Sequence, residues 1–197
     1  MSKKICFLYT STNGTHHTDD NVSSKNLYQF ARLIAFHYSI GSMNGSKYNE
    51  TKKATLILKP NAINFDKESI NIHKITMDMA NKNGIPSAHA ITQLKTDLLD
   101  VNIIVSYNVP FHLKAIQVEC FRTAISINFS KYKLVECFNM QHNNNYPDFS
   151  FLAQKYKLTT TDYLGLIISV FLTESSTCNT NTSKPIKNTE EECEFVD

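Results

Sequence analysis

Glycine is scarce in this sequence, at five in 197 residues. None of the five sits in a phosphate-cradling GxxxxGK[ST] or GxGxxG loop, so nucleotide binding of those kinds is excluded. The five cysteines, Cys6, Cys120, Cys137, Cys178 and Cys193, include no CxxC pair and no zinc-type spacing. An odd number without such spacing argues against a disulfide framework or a zinc site. Cys6, Cys120 and Cys137 lie in apolar runs and read as buried free thiols, which predicts an intracellular, reducing compartment. No window reaches the ~18 apolar residues that mark a membrane span, so no membrane association is expected. Lys3-Lys4 leads directly into Ile5-Cys6-Phe7-Leu8-Tyr9 without a small-residue cleavage site, a pattern read as a first strand rather than a signal peptide. Strong charge of one sign is also missing: 20 basic residues face 18 acidic ones, for a net charge of +2. The only basic clusters, Lys3-Lys4, Lys52-Lys53 and Lys131/Lys133, permit nucleic-acid binding without indicating it. No internal repeat is visible.

What is present is enough apolar sequence for one domain with a sizeable core. The most informative stretch runs from Val101 to Arg122. An aliphatic run, Val101–Val105, ends at Ser106-Tyr107-Asn108, and a turn leads through Pro110 into a helical pattern opening at Phe111. Leu113, Ile116, Val118 and Phe121 roughly share one face of that helix. Pro110 suits a first helical turn, where a missing N–H costs nothing. A buried strand whose C-terminal edge meets a helix start is where α/β sheets build their sites.

Before it, Lys4–Thr10 reads as a strand, and the polar run 15–26 as a solvated loop. In that loop His16 and His17 beside Asp19 and Asp20 lack the fixed geometry that metal ligation needs. A second strand is predicted over Arg32–Ser39, hairpin chemistry over Gly41–Thr51, and a third strand over Lys53–Lys59, closed by Pro60. Short turns between three strands imply an antiparallel meander. Lys67–Asn81 fits short helices around an irregular turn. Ser87 reads as the N-cap of a helix reaching Leu99, with Ile91, Leu94, Leu98 and Leu99 inward. Lys133–Phe138 is a fifth strand, Gln141–Asn145 a polar loop, and Pro147 opens a helix over Asp148–Tyr156. A buried helix covers Thr161–Thr173. From Glu174 to Asp197 the composition turns to Ser, Thr, Asn, Lys and Glu, which predicts a disordered polar tail.

Four short boxes in this order carry a resemblance. Leu8-Tyr9-Thr10-Ser11-Thr12-Asn13-Gly14 stands where a strand would end in FDTETTG. Leu56–Pro60 followed by Ile72-His73-Lys74-Ile75-Thr76 is similar to a Lys-Pro strand and an IHGIT box, with Lys74 in place of glycine. Tyr107–His112 resembles HNxxFD, and Thr161–Leu166 falls on HxALxD. Together they resemble the DEDD-type 3′–5′ exonucleases over about residues 4–173, most closely those of phages, large DNA viruses and some bacteria. The resemblance implies an RNase H-like α/β fold. Its sheet would be mixed and five-stranded, three antiparallel strands followed by two parallel ones, with flanking helices.

That family cuts phosphodiesters with two Mg²⁺ ions held by four acidic side chains and a histidine as general base. Hard Mg²⁺ demands oxygen ligands, chiefly carboxylates. Matched position by position, the first Asp becomes Tyr9, the Glu becomes Ser11, the HNxxFD Asp becomes His112, the base becomes Thr161 and the final Asp becomes Leu166. No catalytic residue, metal ligand or cofactor is therefore expected. The resemblance then implies an inactive exonuclease-like protein, a binding, structural or regulatory subunit of a larger assembly with a protein partner. An intracellular setting, cytoplasmic or associated with a virion or infected cell, would fit. The alternative keeps nucleic acid: a non-cleaving binder of single strands or 3′ ends using Asn108, Phe111, His73 and Lys74, supported by Lys114. A second alternative is an active enzyme with ligands remodelled around His112, Asp162 and Asp19/Asp20. The plain reading of Asp162 is a cap on the last helix.

Overall fold

The computed structural model describes residues 3–61, 63–138, 148–158 and 162–177. Five strands form one sheet: β1 (Lys4–Thr12), β2 (Leu33–Asn44), β3 (Lys47–Ile57), β4 (Ile103–Ser106) and β5 (Lys133–Glu136). The spatial order is β3-β2-β1-β4-β5. The first three strands pair antiparallel, whereas β1–β4 and β4–β5 pair parallel. This is the mixed sheet predicted above. The helices α1 (Lys67–His73), α2 (Met77–Asn83), α3 (Ser87–Asp97), α4 (Val109–Thr123), α5 (Phe149–Lys155) and α6 (Tyr163–Thr177) flank it.

The central strand explains the two-sided core. Side chains alternate along a strand, so Cys6 and Leu8 of β1 join Phe36, Tyr38, Ile91, Leu94, Leu98, Ile104 and Ile116 on the α3/α4 face. Ile5 and Phe7 point the other way, to Val105, Leu152, Leu164, Leu166, Ile167 and Val170 on the α5/α6 face. A strand covered on both faces reads as a continuous apolar run, which is why β1 and β4 were legible. The three cysteines at described positions are free thiols. Burial raises the Cys6 and Cys137 thiols well above their ordinary range and takes Cys120 to about 11.

Several expectations need correction. The predicted hairpin region, Gly41–Thr51, is mostly strand: β2 reaches Asn44, β3 starts at Lys47, and only Gly45 and Ser46 turn, with Gly45 at φ +61°. Its polar, charged sequence hid the strand because β3 is a sheet edge, where Lys47, Glu50, Lys52 and Lys53 face solvent and blunt the open hydrogen-bonding side. Ser87 is the first helical residue of α3; Pro86 occupies the cap position and no side chain caps the helix. Leu99 is 64% exposed rather than inward, because α3 ends at Asp97. α4 starts two residues before Phe111, and α6 continues past Thr173 to Thr177. The expected Gln141–Asn145 loop and Pro147 fall outside the described residues, as does the tail beyond Thr177.

α4 is anchored at both ends of its first turn. Asn108 adopts the left-handed conformation at φ 59°, and its Oδ1 accepts the Phe111 N–H at 3.3 Å. At the end of β5, the Glu136 carboxylate accepts the N–H groups of Asn108 and Val109 at 2.9 and 2.7 Å. An N-terminal helix turn needs such acceptors, and a carboxylate there also complements the helix dipole.

Candidate functional site

β1, the first turn of α4 and the start of α6 carry Tyr9 and Ser11, His112, and Leu166, the side chains that the resemblance sets at the acid positions. Tyr9 is the hub. Its ring stacks on Tyr163 of α6 with centroids 5.1 Å apart and planes 9° from parallel. The His112 ring meets it edge-on at 4.9 Å, and His37 and Phe149 lie at 5.7 and 6.2 Å. Phe149 in turn packs edge-on against Tyr163 at 4.0 Å. Leu166, one helical turn beyond Tyr163, is 3% exposed and belongs to the same apolar cluster. Thr161 lies outside the described residues.

His112 is fixed as a neutral imidazole. Its Nδ1 accepts the backbone N–H of Thr10 at 3.2 Å, which places the ring proton on Nε2. The Thr10 hydroxyl reaches the same nitrogen at 2.7 Å. Burial lowers the His112 pKa to about 3, against the opposing pull of a backbone hydrogen bond to Tyr107. His37, directly opposite Tyr9 in the β1–β2 register, meets Ser11 Oγ at 2.9 Å through Nε2 and Thr55 Oγ1 at 3.2 Å through Nδ1. Burial lowers its pKa to about 4 despite the charge of Asp162. At neutral pH both rings are uncharged, and Ser11 adds only a hydroxyl. Burial also raises the Tyr9 phenol, so it too stays neutral.

Such a cluster can stack, hydrogen-bond and exclude water. A site for two divalent cations needs charged oxygens instead. The nearest carboxylates serve elsewhere. Asp162 caps α6 through the Leu164 N–H at 3.2 Å and pairs with Lys53 of β3 at 3.1 Å. Asp148 caps α5 through the Phe151 N–H at 2.8 Å and bonds Ser150, which holds its carboxyl below the usual range. Among the described residues no group of three or more His, Cys, Asp or Glu side chains is placed to hold a metal ion.

The residues assigned to strand binding separate. Asn108 is the α4 cap. Phe111 is half-buried with His16 stacked on it, centroids 4.4 Å apart. His16 is therefore no free loop residue: it accepts the Ala31 N–H at 3.1 Å and donates to the Phe111 carbonyl at 3.0 Å, clipping the loop to α4. Lys114 Nζ reaches the Asp19 carbonyl in the same loop at 2.6 Å. His73 and Lys74 end α1, with Lys74 exposed in a left-handed cap at φ 60° and His73 Nδ1 accepting the Ile75 N–H at 3.0 Å. The family's glycine at this box suits that conformation, which Lys74 adopts at some cost.

His37, Phe149 and Tyr163 were missed by sequence reasoning. The long 13–32 connection leaves the β1–β2 register open, so nothing local places His37 beside Tyr9. Tyr163 carried a signal: it precedes Leu166 by three residues, hence shares its helix face.

No protein-family model matches the chain, and neither does any curated protein. Solved structures do. Escherichia coli exonuclease I in complex with a dT13 oligonucleotide superposes with TM-score 0.63 at 14% identity, over 90% of this chain and 41% of that one. An ExoI/SSB-Ct complex gives 0.64 at 15% identity, over 89% and 42%. The moderately thermophilic exonuclease I of Methylocaldum szegediense gives 0.55 at 17% identity, over 69% and 28%. The fold is shared with these nucleases, and this chain spans less than half the length of each.

Proposed function

We propose that this chain is an exonuclease-like domain that does not hydrolyse nucleic acid and serves as a binding, structural or regulatory subunit of a larger assembly. One observation carries the reading: Tyr9 stacks on Tyr163, meets the His112 ring edge-on and shares an apolar cluster with Leu166, where the resemblance calls for carboxylates and two cations. A neutral cluster of rings, hydroxyls and an aliphatic side chain lacks the carboxylates that hard cations demand. The test is degradation of labelled single-stranded DNA and RNA with Mg²⁺ or Mn²⁺. No degradation is expected; activity that co-purifies with the protein and disappears in His112→Ala would overturn the proposal.

A second reading is non-cleaving recognition of a single strand or 3′ end. Its support is the shared fold with an enzyme solved on an oligonucleotide and the exposed Lys74 at the end of α1. Oligonucleotide binding that weakens steeply with salt is its signature. Absence of binding at low salt removes it and leaves protein partners, a direction in keeping with the ExoI/SSB-Ct complex of a structural neighbour.

A further inference from the structure

Away from the aromatic cluster, an open pocket of about 380 Å³ is bordered by Arg32, Asn61, Ser87, Glu119, Arg122 and Thr123. Glu119 lies seven residues after His112 on α4, so roughly 10 Å farther along the same helix face. The two places are distinct.

At the pocket, Glu119 is a buried carboxylate, its side chain 1% exposed, between two guanidinium groups. Arg32 Nε donates to Glu119 Oε1 at 2.8 Å, and Arg122 Nη1 lies 3.5 Å from the same oxygen. Arg122 Nη2 donates to the Leu27 carbonyl at 3.1 Å. The carboxylate holds both arginines without using up their donors. Arg32 engages it through Nε alone, and its two terminal nitrogens make no hydrogen bond to any described residue. Arg122 Nη1 is buried without a hydrogen bond. The Ser87 hydroxyl also makes none among the described residues, and it stands on the first turn of α3, which has neither a side-chain cap nor an acid.

Of these donors Arg122 Nη1 is the buried one, and a clip whose sole purpose was to pin the loop to α4 would spend it, because a buried unpaired N–H is costly. The Arg32 terminal nitrogens and the Ser87 hydroxyl are open to the pocket. Two guanidiniums against one carboxylate also leave an excess positive charge, and an uncapped helix start adds to it.

We propose that this pocket binds a phosphate group, with Arg32 and Arg122 as its charged donors and Ser87 at its rim. Planar guanidinium donors match the oxygens of a tetrahedral oxyanion in paired hydrogen bonds. The group can come from free phosphate or from a nucleic-acid end, and the chemistry is the same. The assignment stands independently of whether the domain cuts.

Inorganic phosphate is titrated into the full chain at constant ionic strength, with chloride as control, by calorimetry and thermal shift. Saturable phosphate binding and a rise in Tm that chloride does not reproduce are expected. Ser87→Asp adds an acid to a helix first turn, which favours folding, while the new charge should weaken phosphate binding about tenfold or more. Arg122→Gln, which leaves Arg32 paired with Glu119, should weaken it similarly. Equal responses to phosphate and chloride, or an unchanged response in Ser87→Asp, would overturn the proposal. A 5′-phosphorylated oligonucleotide competing where its unphosphorylated twin does not identifies a nucleic-acid source. Phosphate binding without such competition supports the site with free phosphate as its ligand.

Discussion

Tyr9 and Tyr163 stack face to face, 5.1 Å between centroids, joining the central strand to the last described helix. Stacked aromatic pairs contribute about 1 kcal/mol beyond their buried area. A double-mutant cycle of Tyr9→Ala and Tyr163→Ala, read from urea denaturation, should therefore give a coupling energy of about 1 kcal/mol, with each single change destabilising. Additivity of the two would show that the rings do not support one another.

Placing an acid at Leu166 should destabilise the fold. Leu166 is 3% exposed among Ile5, Phe7, Leu164 and Val170. Leu166→Asp would bury a carboxylate without a cation partner, at a cost of about 3 kcal/mol or more. Loss of the cooperative thermal transition, or a Tm far below that of the parent, is the expected result; an unchanged Tm would show the position to be open to water.

The imidazoles make the fold sensitive to acid. In the unfolded chain each histidine takes up a proton near pH 6.5, whereas the folded pKa values of His112 and His37 are lowered to about 3 and 4. Lowering the pH below 6.5 therefore protonates the unfolded state preferentially. Stability falls through that window until the folded rings themselves titrate, by about 1 kcal/mol per pH unit for each fully depressed ring. The urea midpoint should drop between pH 7 and pH 5. In His112→Leu, which fills the space with an aliphatic group, that drop should be smaller.

Gly41 marks the β2–β3 bulge, where the register shifts between Ile40 and Gly41. A methyl group there would meet the Asn49 carbonyl at 2.2 Å and the Tyr48 ring at 2.7 Å. Because one of those contacts is backbone, Gly41→Ala should destabilise by about 2 kcal/mol or more. Gly45→Ala at the exposed turn, with nothing near its added carbon but a φ of +61°, should cost about 1 kcal/mol. Comparing the two Tm values separates crowding from backbone strain.

The strands β1 and β4 and the strand–turn–helix at 101–122 were legible because doubly buried strands and a proline-marked helix start leave strong local patterns, whereas the mixed pairing of the sheet came with the resemblance. The edge strand β3 was legible only in part, since its pairing with β2 overrides a polar sequence. The candidate site was half readable. Motif order located Tyr9, Ser11, His112 and Leu166, but their surroundings come from elements far apart in sequence. α4 shows the limit most clearly: its buried stripe includes His112 and Glu119, two polar residues seven apart on one face. An apolar-periodicity reading passes over them, yet one meets the Tyr9 ring and the other holds Arg32 and Arg122.

Glu136 already neutralises the positive pole of α4 through the N–H groups of Asn108 and Val109. An anion approaching that end of the helix would meet a counter-charge already in place. Farther along the helix the balance is reversed, with Arg32 and Arg122 set against the single carboxylate of Glu119.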